Sequence, residues 1–355
     1  MKKSISLLLV LILLLAGCAV QQKPTDGTTM GTVPDLFTQP TTVPQETTKP
    51  AEVGPTLPDR DIPVRLSLGF GNKEMVYSGG EHHMSVKISW TEGYSNVGLG
   101  LLVIVDGQPQ PYRTAEDDTV SYMHIFYPED DVEYQHEFIF TPVSGKVGET
   151  VDVHIMGFND PTFCIGDGEV GAHFRFLSPK ASLTFEAAPG AQEVPAVADA
   201  QLSWSSAYVD ATGEEIGLIN AAQMQQEIRY NFTLNDKDRE NQFYGTAEGD
   251  KVTFHLEVYG MPYVGYGLVI YVDGEPVAIN SEDMILFDIH NGQKTVVEGE
   301  FTLTGFDGSS NVCVLLVPRN STGCGVENKL SLEDIGVYYF VSAASYEDLL
   351  EQINQ

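Results

Sequence analysis

Two acidic runs, Glu116-Asp117-Asp118 and Glu282-Asp283, each follow an Asp-Gly pair by several residues. Clustered carboxylates offer the hard oxygen ligands that Ca²⁺ takes. Calcium is therefore the cation that Glu116, Asp117, Asp118, Glu282 and Asp283 would select. No Asp-x-Asp-x-Asp-Gly loop accompanies them, and solvated loop charge is the plainer reading. A further run, Glu129-Asp130-Asp131 with Glu133, has no counterpart. Tyrosines form a second set. Tyr94 precedes one strongly apolar stretch, and Tyr259, Tyr263 and Tyr266 crowd the same place before another. Rings at a sheet rim stack on sugars or anchor a protein partner. Tyr266 stands where the other stretch has Leu99, so packing accounts for it equally well.

Six of the eight histidines lie in the first half, five of them (His82, His83, His124, His136 and His154) in strand-like or turn-like parts, and none shows metal-ligand spacing. A zinc or copper site would have to be assembled across strands; hydrogen-bonded sheet histidines are the simpler reading. Beyond Cys18 the cysteines are Cys164, Cys313 and Cys324. An odd number leaves at least one thiol outside any disulfide. Cys313 with Cys324 is the most local pairing, Cys164 with Cys324 would clamp two halves together, and buried thiols are the alternative. No Ser-x-x-Lys, Gly-x-Ser-x-Gly, His-Glu-x-x-His or Walker pattern is present. Paired glycosidase carboxylates carry no short motif, and 50 acidic residues make any nomination arbitrary.

The scaffold for these residues is a duplication. Val97 to Pro109 aligns without gaps on Val264 to Pro276, with eight of thirteen positions identical. Looser matches follow: Glu137-Phe138 with Glu300-Phe301, Val64-Arg65 with Ile228-Arg229, and Phe176-Leu177-Ser178 with Phe340-Val341-Ser342. The period is too long for a solenoid. Val86, Ile88 and Trp90 alternate with polar residues, as do Phe254, Leu256 and Val258, which is the period of a half-buried strand. Leu101 to Val105 and Leu268 to Val272 are apolar throughout, as in a central strand covered on both faces. Each runs into Asp-Gly, the type I′ hairpin signal. The expected fold is all-β: two tandem antiparallel β-sandwiches of about eight strands, Ig-like or jelly-roll, at 62–187 and 226–345. Residues 188–225 join them; there Leu202 and Trp204 suggest a strand and Glu214 to Gln226 a short helix. Leu349, Leu350 and Ile353 suggest a terminal helix over 346–355.

At the N-terminus, Lys2 and Lys3 precede an apolar run from Ser4 to Leu15 and then Leu15-Ala16-Gly17-Cys18. The run is shorter than the roughly 20 residues of a membrane-spanning helix and suits a signal peptide. The tetrad resembles the lipobox of bacterial lipoproteins. That resemblance covers residues 1–18 alone and implies cleavage before Cys18, acylation of that cysteine, and an extracytoplasmic chain anchored to the bacterial cell membrane. Loss of Lys2 and Lys3 would move the net charge from −31 to about −33, which disfavours nucleic acid and anionic lipid heads. Residues 19–60 hold ten Thr and seven Pro with few large apolar side chains. Such composition cannot offset the entropy of ordering and is expected to form a disordered linker over 18–61.

These features favour a lipid-anchored display protein whose non-catalytic sandwiches bind a polysaccharide, an envelope component or a protein. An envelope-associated glycan hydrolase using paired carboxylates is the alternative. A solute receptor ranks third, because such proteins are usually two-lobed α/β and helical periodicity is scarce here.

Overall fold

A strand apolar on both faces must be covered twice, and the arrangement of the chain follows from doing so at two places. The computed structural model describes residues 65–342 apart from 92–97, 128, 130, 160, 162–174, 178–179, 198, 236–242, 263, 279–283 and 320–332, together with residue 345. The first half begins with β1 (Arg65–Phe70), β2 (Glu74–Tyr77), β3 (His82–Thr91), β4 (Leu99–Val105), β5 (Gln108–Gln110) and β6 (Arg113–Thr114). It continues with β7 (Met123–Phe126), β8 (Glu133–Phe140), β9 (Thr150–Asn159), β10 (Arg175–Leu177) and β11 (Ala181–Phe185). Next come β12 (Ser203–Asp210), which is the strand expected at Trp204, and α1 (Gly213–Gln225). The second half holds β13 (Ile228–Leu234), β14 (Phe243–Thr246), β15 (Lys251–Gly260), β16 (Gly265–Val272) and β17 (Glu275–Pro276). It ends with β18 (Ile285–Asp288), β19 (Gln293–Thr302), β20 (Ser309–Arg319) and β21 (Glu333–Ser342).

The two halves share one topology. In the first, a sheet β1-β3-β8-β6 faces a sheet β2-β11-β9-β4-β5, with β7 also on β4. In the second, β13-β15-β19-β12 faces β14-β21-β20-β16-β17, with β18 on β16. Every ladder is antiparallel except the edge pairs β2–β11 and β14–β21, which are parallel. Strand order favours the Ig-like alternative over the jelly roll. Each half fills its own interior. Val86, Leu101, Val103, Phe138 and Val153 pack in one cluster, and Leu256, Leu268, Ile270, Phe301 and Val314 in the other.

Both Asp-Gly turns have positive φ at their two central residues: 50° and 74° at Asp106-Gly107, 50° and 84° at Asp273-Gly274. That is the type I′ geometry. One expected correspondence is corrected. Phe176 lies on β10 beside β9 and Phe340 on β21 beside β20, but register equates Phe176, opposite Gly157, with Glu333, opposite Leu316. The counterpart of Phe340 is Leu183. Short apolar triplets at two points of one interrupted strand produced the false match.

A third cluster joins the halves. Leu102, Ile104, Met156 and Phe158 meet Val269, Tyr271, Met284, Cys313, Leu315, Val317, Tyr339 and Val341. By register Leu102 answers Val269, Ile104 answers Tyr271, Met156 answers Leu315 and Phe158 answers Val317. The same patch is used on both sides, as in the isologous contact of a symmetric dimer. This is why β4 and β16 are apolar on both faces. Burying side chains of this size contributes roughly 1.5–3 kcal/mol each. Arg319 adds a clasp: its Nε donates to the Asp106 carbonyl at 2.7 Å and its Nη2 to Asp106 Oδ2 at 3.1 Å.

Residues 188–197 run without regular structure but are tied down, since the Thr141 N–H donates to Gln192 Oε1 at 2.6 Å. Helix α1 opens on a capping box in which Thr212 and Glu215 exchange hydrogen bonds. The Thr212 N–H, then Lys294, pull the Glu215 carboxyl down to about 2. Ile219 and Ala222 face inward and are fully buried. The segment 346–355 lies outside the described residues.

Candidate binding surface

The acidic loop of the first half does not form a cage. Each carboxylate turns to a different base: Glu116 Oε2 to His136 Nδ1 at 3.8 Å, Asp117 Oδ2 to His124 Nδ1 at 4.0 Å, and Asp118 Oδ1 to Arg113 at 3.4 Å. The Thr119 N–H also donates to Asp117 Oδ1 at 2.9 Å and holds that carboxyl below its usual range. Among the described residues no three His, Cys, Asp or Glu converge as metal ligands. Glu282 and Asp283 lie outside the described residues. The loop instead borders a strand edge, which is the candidate site.

Strand β8 pairs with β3 along one side. On the other, β6 reaches only Phe138 and Ile139, and the Ala115 N–H donates to the Glu137 carbonyl. Residues two apart on a strand direct their backbone groups to the same side. Gln135 and Glu133 therefore present N–H and C=O groups to this edge, and among the described residues no strand meets them. The second half shows the same edge filled. The Thr302 N–H donates to the Ala200 carbonyl at 2.6 Å, and β12 then pairs with β19 from Ser203↔Glu300 to Asp210↔Gln293. Register equates Glu137, Gln135 and Glu133 with Glu300, Glu298 and Val296.

Behind the open edge runs a row of rings. Tyr134 stacks on His136 at 6.0 Å, His136 tilts against Phe126 at 4.6 Å, and Phe126 stacks on Phe138 at 5.8 Å. His136 takes the place of Gly299, where an added Cβ would meet the Phe254 ring and the Ser203 carbonyl. The second half thus needs glycine where β12 is seated, whereas the first half puts its own ring there. Around the edge, Glu116, Asp117, Asp118, Glu129, Asp131, Glu133 and Glu137 are exposed. Glu137 meets His83 at 3.1 Å and Glu133 meets Lys87 at 3.5 Å.

The tyrosines separate. Tyr266 is 1% exposed inside the second core and offers no face to a ligand; Tyr259 is half-buried on β15. Tyr94 and Tyr263 lie outside the described residues. Tyr266 is buried because β16 alternates it with Gly265 and Gly267, turning it inward like Leu99, its counterpart. Cys313 is buried on β20 in the shared cluster; Cys324 and Cys164 lie outside the described residues. His124 donates to the Tyr112 carbonyl at 2.8 Å. Burial drives His154 down to about 4.

Among the described residues burial raises three carboxylates, Asp106, Asp273 and Glu275, all at the two Asp-Gly hairpins. The cavity beside Asp273, lined by Tyr271, Asn311 and Cys313, measures about 20 Å³, room for a single water and not for a sugar ring. Two shallow concavities recur on the outer faces. One of about 430 Å³ is lined by Ser85, Lys87 and Gln135, the other of about 560 Å³ by Thr253, His255 and Glu298. These residues occupy equivalent register positions.

Sequence reading missed the open edge and its rings. The available signal was the strand at Leu202 and Trp204, which has no counterpart of like composition ahead of Val64.

No family model matches the chain, and no curated protein matches it. Among solved structures it is similar to a CsuC–CsuE chaperone–tip adhesion subunit pre-assembly complex from archaic chaperone-usher Csu pili of Acinetobacter baumannii. Identity there is 8%, over 78% of this chain and 99% of that one, with a TM-score of 0.21. It is also similar to a Salmonella enterica SafA pilin in complex with the SafB chaperone, at 9% identity over 81% and 99%, TM-score 0.22. A third similarity is to fibronectin(III)-like modules of Clostridium thermocellum CbhA, at 7% identity over 78% and 96%, TM-score 0.19.

Proposed function

We propose that this chain is an extracytoplasmic lipoprotein, anchored through acyl groups on Cys18, that displays a fused pair of β-sandwiches as a non-catalytic binding head. The observation that carries the reading is the β8 edge: two residues with open backbone groups, a row of rings behind them and an acidic rim, on a head stiffened by the shared cluster. Such an edge offers main-chain hydrogen bonds to a ligand and needs no reactive group. The Thr/Pro-rich residues 19–60 supply the tether. Binding of an envelope protein is the first reading. Binding of a polysaccharide is the second, favoured by the paired outer-face concavities, which would engage a repeating polymer twice.

The test has two arms. Cells fed an alkyne-bearing fatty acid should label the chain, and Cys18→Ser should abolish both the label and membrane retention. Label that survives Cys18→Ser contradicts the anchor. Immobilised full chain should capture envelope material; loss of capture on protease treatment supports the protein reading, and loss on glycan digestion supports the second. No capture of either contradicts the display role.

A further inference from the structure

The geometry points to a specific occupant for the β8 edge: an extended, basic polypeptide segment of another protein, laid antiparallel along Glu133–Gln135, in the direction that β12 takes on β19. This deepens the display reading and rests on it.

Internal comparison says what kind of structure fits. In the second half the equivalent ladder is completed by a strand whose inward residues, Leu202 and Trp204, pack on the core, while Tyr208 stacks on His290 at 3.7 Å. In the first half the inward positions of β8 are Tyr134 and His136. Their rings lead back to Phe126, which packs partly buried on the core. An incoming strand would set alternate apolar side chains on these rings and pair its backbone with Gln135 and Glu133. Its other side chains would stand beside Glu133 and Glu137, and its flanks beside Glu116, Asp117, Glu129 and Asp131.

Charge selects the partner. The rim is acidic, and a second copy of this chain brings a net −31, so self-pairing is opposed. The chain's own residues 19–60 carry three basic against five acidic side chains and gain nothing there. A strand alternating basic with apolar residues matches both the rim and the rings.

A short peptide alternating Lys with Val is the probe, titrated into the full chain in non-ionic detergent, with the Glu–Val counterpart as control. The expected result is saturable binding of the Lys peptide alone, weakened by salt, with amide protection appearing at Gln135 and Glu133. Gln135→Pro removes an outward N–H at a position where an edge strand tolerates proline, and should weaken binding about tenfold or more. Glu133→Lys with Asp131→Lys leaves the backbone intact and should do the same, which keeps the test valid if the proline variant unfolds. Equal binding of both peptides, or protection at β12 instead of β8, overturns the assignment. So does a concentration-dependent dimer protected at Gln135, which would make a second copy the occupant. If the Lys peptide fails while the chain still captures envelope material, this inference falls and the display reading stands. If Cys18→Ser leaves the label and retention untouched and nothing is captured, the reading itself falls.

Discussion

Arg319 and Asp106 show how a single side chain holds the two halves in place. Both are largely buried, and burial raises the Asp106 carboxyl despite the guanidinium beside it. The pair therefore contributes geometry more than net energy. Arg319→Leu should cost about 3–5 kcal/mol, measured by urea unfolding, because it strands a carboxylate. Adding Asp106→Asn should recover most of that loss; a double variant as unstable as the single one contradicts the account. His154 makes the second test. Its pKa, about 4 in the fold against an ordinary 6.5, is set first by burial, with Lys180 adding to it and Asp152 opposing. Between those values the unfolded chain binds the proton and the folded chain does not. Its contribution is thus fully present above pH 6.5, declines as pH falls toward about 4, and changes no further below that. His154→Leu should flatten this part of the pH profile relative to wild type; identical slopes would refute the assignment.

Strand β12 and helix α1 carry the difference between the halves. Gly299→Ala would push a methyl group at the Phe254 ring and the Ser203 carbonyl. It should lower stability by about 1–3 kcal/mol and raise exchange along β12 before the rest of its sheet; uniform exchange would contradict the close seat inferred for that strand. Thr212→Ala, which removes one half of the capping box, should cost about 1 kcal/mol and fray α1 without disturbing β8. Much of this level was legible beforehand. The apolar runs at Leu101 and Leu268, the Asp-Gly turns and the strand at Trp204 announce themselves through periodicity and turn chemistry, which are local. The open edge was not legible, since an edge is defined by what fails to pair with it. Nor was the inward turn of Tyr266, because a ring bordered by two glycines suits a sheet rim and a core equally well until the register is known.

At the scale of the molecule, the duplicated patch on β4, β9, β16 and β20 turns two sandwiches into one body, and the described residues belong to one compact unit. Calorimetry of the full chain should show a single cooperative unfolding transition; two separated transitions would mean that the shared cluster is weak. The unlike filling of two like edges is the claim on which the function rests, and one experiment reads it within a single chain. Native-state hydrogen exchange compares the amides of Glu133 and Gln135 with those of their counterparts Val296 and Glu298. With β12 seated on only one half, the first pair should exchange at nearly unprotected rates and the second more slowly by a factor on the order of a hundred or more. Equal protection of the two pairs would mean that the first edge is already occupied, and would contradict the account.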